Sequence, residues 1–534
     1  MTFTYSDANT PASIAPKAGL LISVQDPQSR ILQLRYAQPD VDQPEHITQI
    51  ITPEGRTIGF AYDASNNLTQ VNWPDGKARN FLYVVKAGAY LLSGVVDENN
   101  SQLSTFTYDD SRLATGTYRG SHVNEYNVTY TTPPSRLVAE TWDAVNQILY
   151  RDHTWQMPQG VSVQTPRATS SALSVTNVNG ATLLTGQSQP AGSGCAASNS
   201  STAYDANGNI VVQDNFQGER TCYAYDLSRN QESVRIEGLP TSANCASLIV
   251  DGATLPSGAR KFKTQWHPDW RLKTKVWSPG SINTTVYNGQ GDPFNGNALL
   301  NCADGATLPD GKALPRACKQ VVQATTSIAS GEAGAIDTSV SARISSFSYN
   351  SAGYVLSATQ SGNQVTSFAY YSDTSFTGTA PNAIGHTLGD LQSTTGPSGL
   401  ITTFDSYDKM GRVLQSTDPK GVVTNVTYTP RGWVQTVTTT APGQTARLTT
   451  YSYDNVGQLT GVANPDGTTL AYSYDAAHRL TGATDTKGNS VTYTLDNSGN
   501  RIGEEVKDPT GVLQRSIARS FDALNRVQQV TGRP

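Results

Sequence analysis

Apolar and polar residues alternate along most of this chain in short runs, and many runs end at glycine. Phe60/Tyr62, Phe81/Tyr83, Phe106/Tyr108, Tyr223/Tyr225, Phe347/Tyr349, Phe368/Tyr370, Tyr451/Tyr453 and Tyr472/Tyr474 each place two rings two residues apart. That spacing puts both rings on one face of a strand. Thr, Ser and Ala occupy most of the opposite positions, and no segment carries the spacing of an apolar helical stripe. The pattern predicts strands of about five to eight residues, an ordinary length.

The runs recur. Tyr62, Tyr204, Tyr349, Tyr407 and Tyr453 each have another tyrosine 21 residues later, at Tyr83, Tyr225, Tyr370, Tyr428 and Tyr474. Aspartate follows in Tyr62-Asp63, Tyr204-Asp205, Tyr225-Asp226, Tyr407-Asp408, Tyr453-Asp454 and Tyr474-Asp475. Glycine then closes a turn at Gly208, Gly411 and Gly457, with Asn66 and His478 in the same place in other copies. Aspartate accepts backbone N–H bonds there, and glycine takes the left-handed conformation. A second turn, Asn464-Pro465-Asp466-Gly467 or Asp418-Pro419-Lys420-Gly421, follows ten residues on and presets its φ with proline. Two turns per period make two strands. A fixed period marks a repeat array whose units bury apolar surface against their neighbours. The recurring rings are expected to stack as a cross-strand ladder, and so long a sheet without helical cover must coil or close on itself.

Composition narrows the function. Charged residues are 15% of the 534 and the net charge is −5, without a Lys/Arg block, which argues against nucleic acid. The N-terminus shows no basic and apolar leader pattern, and no apolar run approaches the length of a membrane span. Of five cysteines, Cys302 and Cys318 bracket a turn-rich segment, and Cys222 with Cys245 makes a second candidate pair, leaving Cys195 over. Five reduced thiols are the other reading. Bridges would mark an exported protein.

The array divides into repeats over 1–130, degenerate repeats and a loop over 131–203, repeats with two cysteine-containing insertions over 204–345, and regular repeats over 346–534. It reads as one continuous array, truncated at both ends. The insertions share Asp-Gly-Ala-Thr-Leu-Pro-x-Gly, at Asp251–Gly258 and Asp304–Gly311. No catalytic, cofactor or metal residue is assigned. Six histidines are scattered without ligand spacing, and Asp40, Asp42 and Glu45, like Asp97 and Glu98, read as solvated loop charges. Asp508-Pro509-Thr510-Gly511 reads as another turn.

The phrase Tyr-Asp-x-x-Gly-(Arg/Gln/Asn)-(Leu/Ile/Val), followed by Asp/Asn-Pro-x-Gly, resembles the YD repeat of the bacterial Rhs family. Related repeats occur in the C component of insecticidal toxin complexes and in teneurins. The resemblance implies an all-β fold: a long antiparallel sheet of repeated hairpins spiralling into a hollow shell, here a partial one. It implies a non-enzymatic role, enclosing a C-terminal toxin domain of the same polypeptide before delivery to competing cells. That toxin domain, a secretion spike and an immunity protein are the implied partners. The implied location is secreted or cell-surface, with a type VI system as one route. A cell-surface adhesion or carbohydrate-binding module is the alternative that tyrosine-rich strands leave open.

Overall fold

The computed structural model describes residues 1–37, 45–130, 135–143, 148–156, 160–303, 305–332 and 334–533. Asp40, Asp42 and Asp304 lie outside the described residues. Strands dominate, and the one α-helix among the described residues is a four-residue turn at Cys245–Leu248. Among the described residues forty strands belong to one antiparallel sheet, with separate two-stranded ribbons of Ser135–Asp143 with Ile148–Gln156 and of Gly291–Asp292 with Ala298–Leu299. The chain forms two compact units, one of Met1–Asn127 with Phe368–Pro534, the other of Val128–Ser367.

One copy explains the rest. The strand Arg447–Tyr453 turns through Asp454–Gly457 into Leu459–Ala463, which turns through Asn464–Gly467 into Thr469–Tyr474. Across the first turn Tyr453 pairs with Leu459 and Ser452 with Gly461, so Thr460 is an extra, bulged residue. The bulge brings Leu459 and Val462, three apart in sequence, to the face of Tyr453 and Tyr451. The same one-residue slip follows Leu68, Leu92, Val434 and Leu480, and a bulge of this kind raises the local twist.

Across the second turn only three residues pair, Ala463 with Thr469, Val462 with Leu470 and Gly461 with Ala471. Beyond them the strands part, and the side chain of Tyr474 fills the opening. Its hydroxyl donates to the Leu459 carbonyl at 2.9 Å. Tyr62, Tyr83 and Tyr428 do the same to Ile47, Leu68 and Val413, each at 3.0 Å and each reaching back 15 residues. The tyrosine replaces a ladder bond where the sheet fans apart, so a part-buried carbonyl keeps a partner.

The expected ladder of stacked rings does not form. One period contains two strands, so ring-bearing strands alternate with aliphatic ones: Tyr451 faces Val462, Phe60 faces Val71 and Tyr472 faces Ala483. Successive rings are two strands apart, roughly 9.5 Å at the usual strand spacing. Stacking occurs where histidine supplies the second ring, as in His46 on Tyr62 at 4.2 Å and His386 on Tyr371 at 3.7 Å.

The thickest packing lies in the second unit, beneath its insertions. Cys222, Val234, Ile236, Leu239 and Ala259 are buried together, with Leu248, Ile249 and Leu255 of the first insertion against them. Ala303 and Ala306 of the second insertion bury Tyr349.

Candidate functional site

The motif aspartates build the turns. Oδ1 of Asp63 accepts from the N–H groups of Ser65 and Asn67, both at 2.9 Å. Asp205, Asp408, Asp454 and Asp475 repeat this pair of bonds at the same offsets, while Asp226 accepts from the Ser228 N–H and hydroxyl. The fourth turn residue is left-handed: φ is +84° at Gly208, +63° at Asn66 and +65° at His478. Gly411 and Gly457 carry a second constraint. A Cβ on Gly411 would collide with the Arg30 guanidinium, and one on Gly457 would lie 2.5 Å from the Trp433 ring.

Arg30 comes from the far end of the sequence, and it is one of a series. Within the first unit, Arg30 Nη2 meets Asp390 Oδ1 at 2.6 Å, Arg412 Nη2 meets Glu54 Oε2 at 3.0 Å, and Arg431 Nε lies 2.9 Å from Asp75 Oδ2. Asn99 Nδ2 donates to Asp454 Oδ2 at 3.0 Å, His478 Nε2 meets Asp97 Oδ2 at 2.7 Å, and the Asn124 N–H donates to the Asn497 carbonyl at 2.7 Å. These contacts stitch turns of the early repeats to turns of the late ones. Both segments advance in the same direction, about one repeat per contact, and the Arg30, Arg412 and Asn99 links span 360, 358 and 355 residues.

The seam is dry. Glu54 and Asp390 each expose only 4% of the side chain, and burial pushes both carboxyls above their ordinary values, with Arg412 and Arg56 opposing the shift at Glu54 and the Thr387 N–H and Arg30 at Asp390. Asp97 and Glu98 are buried, which corrects their reading as solvated loop charges. Asp97 caps a turn through Asn99 and Ser101 and holds His478; Glu98 accepts from the Trp73 indole and from Arg79. The arginines and His478 gave no signal in sequence, because their partners lie hundreds of residues away. Glu45 pairs with Lys17 at 2.6 Å.

The other motif tyrosines also anchor strands. Tyr204, Tyr407 and Tyr453 donate to the carbonyls of Leu184, Leu391 and Val434. Burial pushes the Tyr225 hydroxyl up to about 12. In the second unit Cys222 is bonded to Cys245 and Cys302 to Cys318, while Cys195 lies outside both bridges. Asp508 serves a turn, accepting from the Thr510 and Val512 N–H groups. Among the described residues no cluster of His, Cys, Asp or Glu has the makings of a metal site, and no helix is long and apolar enough to cross a membrane.

The family described as RHS Repeat matches residues 386–423, 453–490 and 474–513. Those segments are RHS repeats. No curated protein matches the chain by sequence. Among solved structures this chain is similar to TcdB2-TccC3, with TM-score 0.55 and 12% identity over 95% of this chain and 26% of that one. It is similar also to TcdB2-TccC3-Cdc42, with TM-score 0.54 and 12% identity over 93% of this chain and 26% of that one. The chain therefore spans about a quarter of the length of the structures it matches. At this identity the likeness is one of fold, a nearly all-β array in a long antiparallel sheet.

Proposed function

We propose that this RHS array is a wall segment of a shell that encloses a toxin domain of the same polypeptide and isolates it until delivery to a competing cell. The seam carries the reading. A sheet whose repeats return alongside earlier repeats after 355 to 381 residues, both running the same way, has the connectivity of a coil. A coil sealed turn to turn makes a wall. The likeness in fold to TcdB2-TccC3 supports the same reading. The mechanism is steric and collective, with no reacting residue, and type VI export is one route by which such a shell would leave the producer.

The test is protease protection in the full parent polypeptide. A toxin domain downstream of the array should resist trypsin while the array is intact and become cleavable once the seam is broken, as by Arg30→Met with Arg412→Met. Equal cleavage of the downstream domain with and without an intact seam would remove the basis for enclosure.

A further inference from the structure

The second unit holds an open cavity of about 780 Å³, a size ordinary for small-molecule sites. Its floor is one face of the sheet. Gln265 lies across from Lys275, Lys275 from Thr284, and Ile282, two residues before Thr284, from Gln323, so these side chains point the same way. Trp266 and, from the loop after Tyr287, Gln290 and Phe294 complete the walls.

The lining contains one cation and no carboxylate. Lys263 and Lys319, on the same sheet face, are neutralised by Asp251 with Glu332 and by Asp292. Lys275 meets no carboxylate among the described residues; its ammonium rests 4.7 Å from the centre of the Trp277 ring, an attraction that spends no N–H group on an acceptor. The side chains of Gln265 and Gln323 likewise bond to none of the described residues, and Gln290 spends only Oε1, on the Tyr287 N–H at 3.1 Å. None of these four side chains is fully buried, so a guest in the cavity can reach them.

The two rings are fixed yet bare. Trp266 stands where the repeat has its tyrosine and donates Nε1 to the Glu232 carbonyl at 2.8 Å. Buried Asp292 sets the Phe294 turn, accepting from the Phe294 N–H at 2.9 Å and from Lys319 Nζ at 2.8 Å, and leaves Phe294 39% exposed. A peptide strand would need an open sheet edge, but Lys273–Ser278 and Ser281–Tyr287 are paired on both sides. A nucleic-acid strand would need several cations. Side-chain amides, each both donor and acceptor, suit neighbouring hydroxyls, and the negative face of an aromatic ring suits the C–H face of a pyranose.

We propose that this cavity binds an acidic pyranoside, a hexuronate unit of a polysaccharide. Its ring packs on Phe294 and Trp266, its hydroxyls bond to the amides of Gln265, Gln290 and Gln323, and its carboxylate takes the ammonium of Lys275. The site is independent of the seam and of any enclosed toxin.

The test titrates the full chain with three probes, following tryptophan fluorescence and heat: trigalacturonate, its methyl ester, and tricarballylate, which has three carboxylates and no sugar ring. Trigalacturonate should bind about tenfold more tightly than either of the others, which lack the charge or the rings. Lys275→Met should bring trigalacturonate down to the affinity of the ester and leave the ester unchanged. Phe294→Ala should weaken both sugars about fivefold. Circular dichroism should stay unchanged in both variants, since neither side chain accepts or donates a hydrogen bond within the protein. No binding of trigalacturonate, tricarballylate binding as tightly, or a folded Lys275→Met chain that still prefers trigalacturonate to its ester would overturn the proposal; the first two readings use the parent chain and do not depend on a variant folding.

Discussion

At the scale of single residues, the motif positions differ in what they hold. Tyr474 supplies one hydrogen bond to a carbonyl that the parted strands leave without a ladder partner. Tyr474→Phe keeps the ring and loses that bond, so it should cost about 1 kcal/mol and raise amide exchange in Leu459–Ala463. Gly411 and Gly467 share a left-handed φ, +80° and +82°, but nothing lies within 4 Å of a Cβ on Gly467. Gly467→Ala should therefore cost only the backbone strain of roughly 1–2 kcal/mol. Gly411→Ala should cost more and release the Arg30–Asp390 pair; equal melting shifts for the two variants would show that Arg30 adds nothing. The turn aspartates set the acid limit. Hydrogen bonds, first from the side chains of Asn67, Asn489 and Thr510 and then from backbone N–H groups, hold Asp63, Asp485 and Asp508 below 3.8. A depressed folded value means the stabilisation is complete above 3.8 and lost as pH falls through the lower folded values. Strand content followed by circular dichroism should hold to about pH 4 and fall below it.

At the scale of strands and turns, the sequence was legible wherever one side chain dictates one local geometry. Aspartate, proline and glycine mark the turns, and ring spacing marks the strands. The bulge was not legible. Thr460 looks like any strand threonine, and only the pairing of Tyr453 with Leu459 shows it to be the extra residue. Nor was the separation of the rings, because a 21-residue period hides the fact that it contains two strands. The insertions behave as flaps over the sheet, and their bridges matter more than their short pairings. Cys302–Cys318 closes a 16-residue separation, and cross-linking a loop of that size contributes about 3 kcal/mol in the chain-entropy view. Cys302→Ser with Cys318→Ser should lower the second unit's melting temperature and expose Ala303–Ala306 to proteolysis, leaving the first unit's transition in place. A downward shift of both units would mean that the bridge acts beyond its flap.

At the scale of the whole molecule, the seam changes what kind of repeat protein this is. An array in which each repeat touches only its sequence neighbours unfolds as a sum of local terms. Contacts between Arg30 and Asp390, Glu54 and Arg412, and Asp97 and His478 tie the early repeats of the first unit to the late ones, so the two segments should melt together. Breaking one member of a buried pair leaves its partner charged and unsolvated, at a cost of about 3–5 kcal/mol. Arg30→Met with Arg412→Met should therefore split one denaturant transition into two, read by hydrogen exchange at strands of residues 46–72 against 401–428. These carboxyls also respond to acid in the opposite sense from the turns. Burial raises Glu54 above 4.5 and Asp390 above 3.8, so protonation favours the folded form, and their contribution grows as pH falls through the raised values. Acid should thus loosen the turns before the seam. If exchange at the strands His46–Ile51, Thr57–Tyr62, Ile401–Tyr407 and Val423–Tyr428 rises together at a pH above that at which turn amides such as Ser65 and Asn67 lose protection, the seam is held by charge rather than by packing, and its part in sealing a wall weakens accordingly.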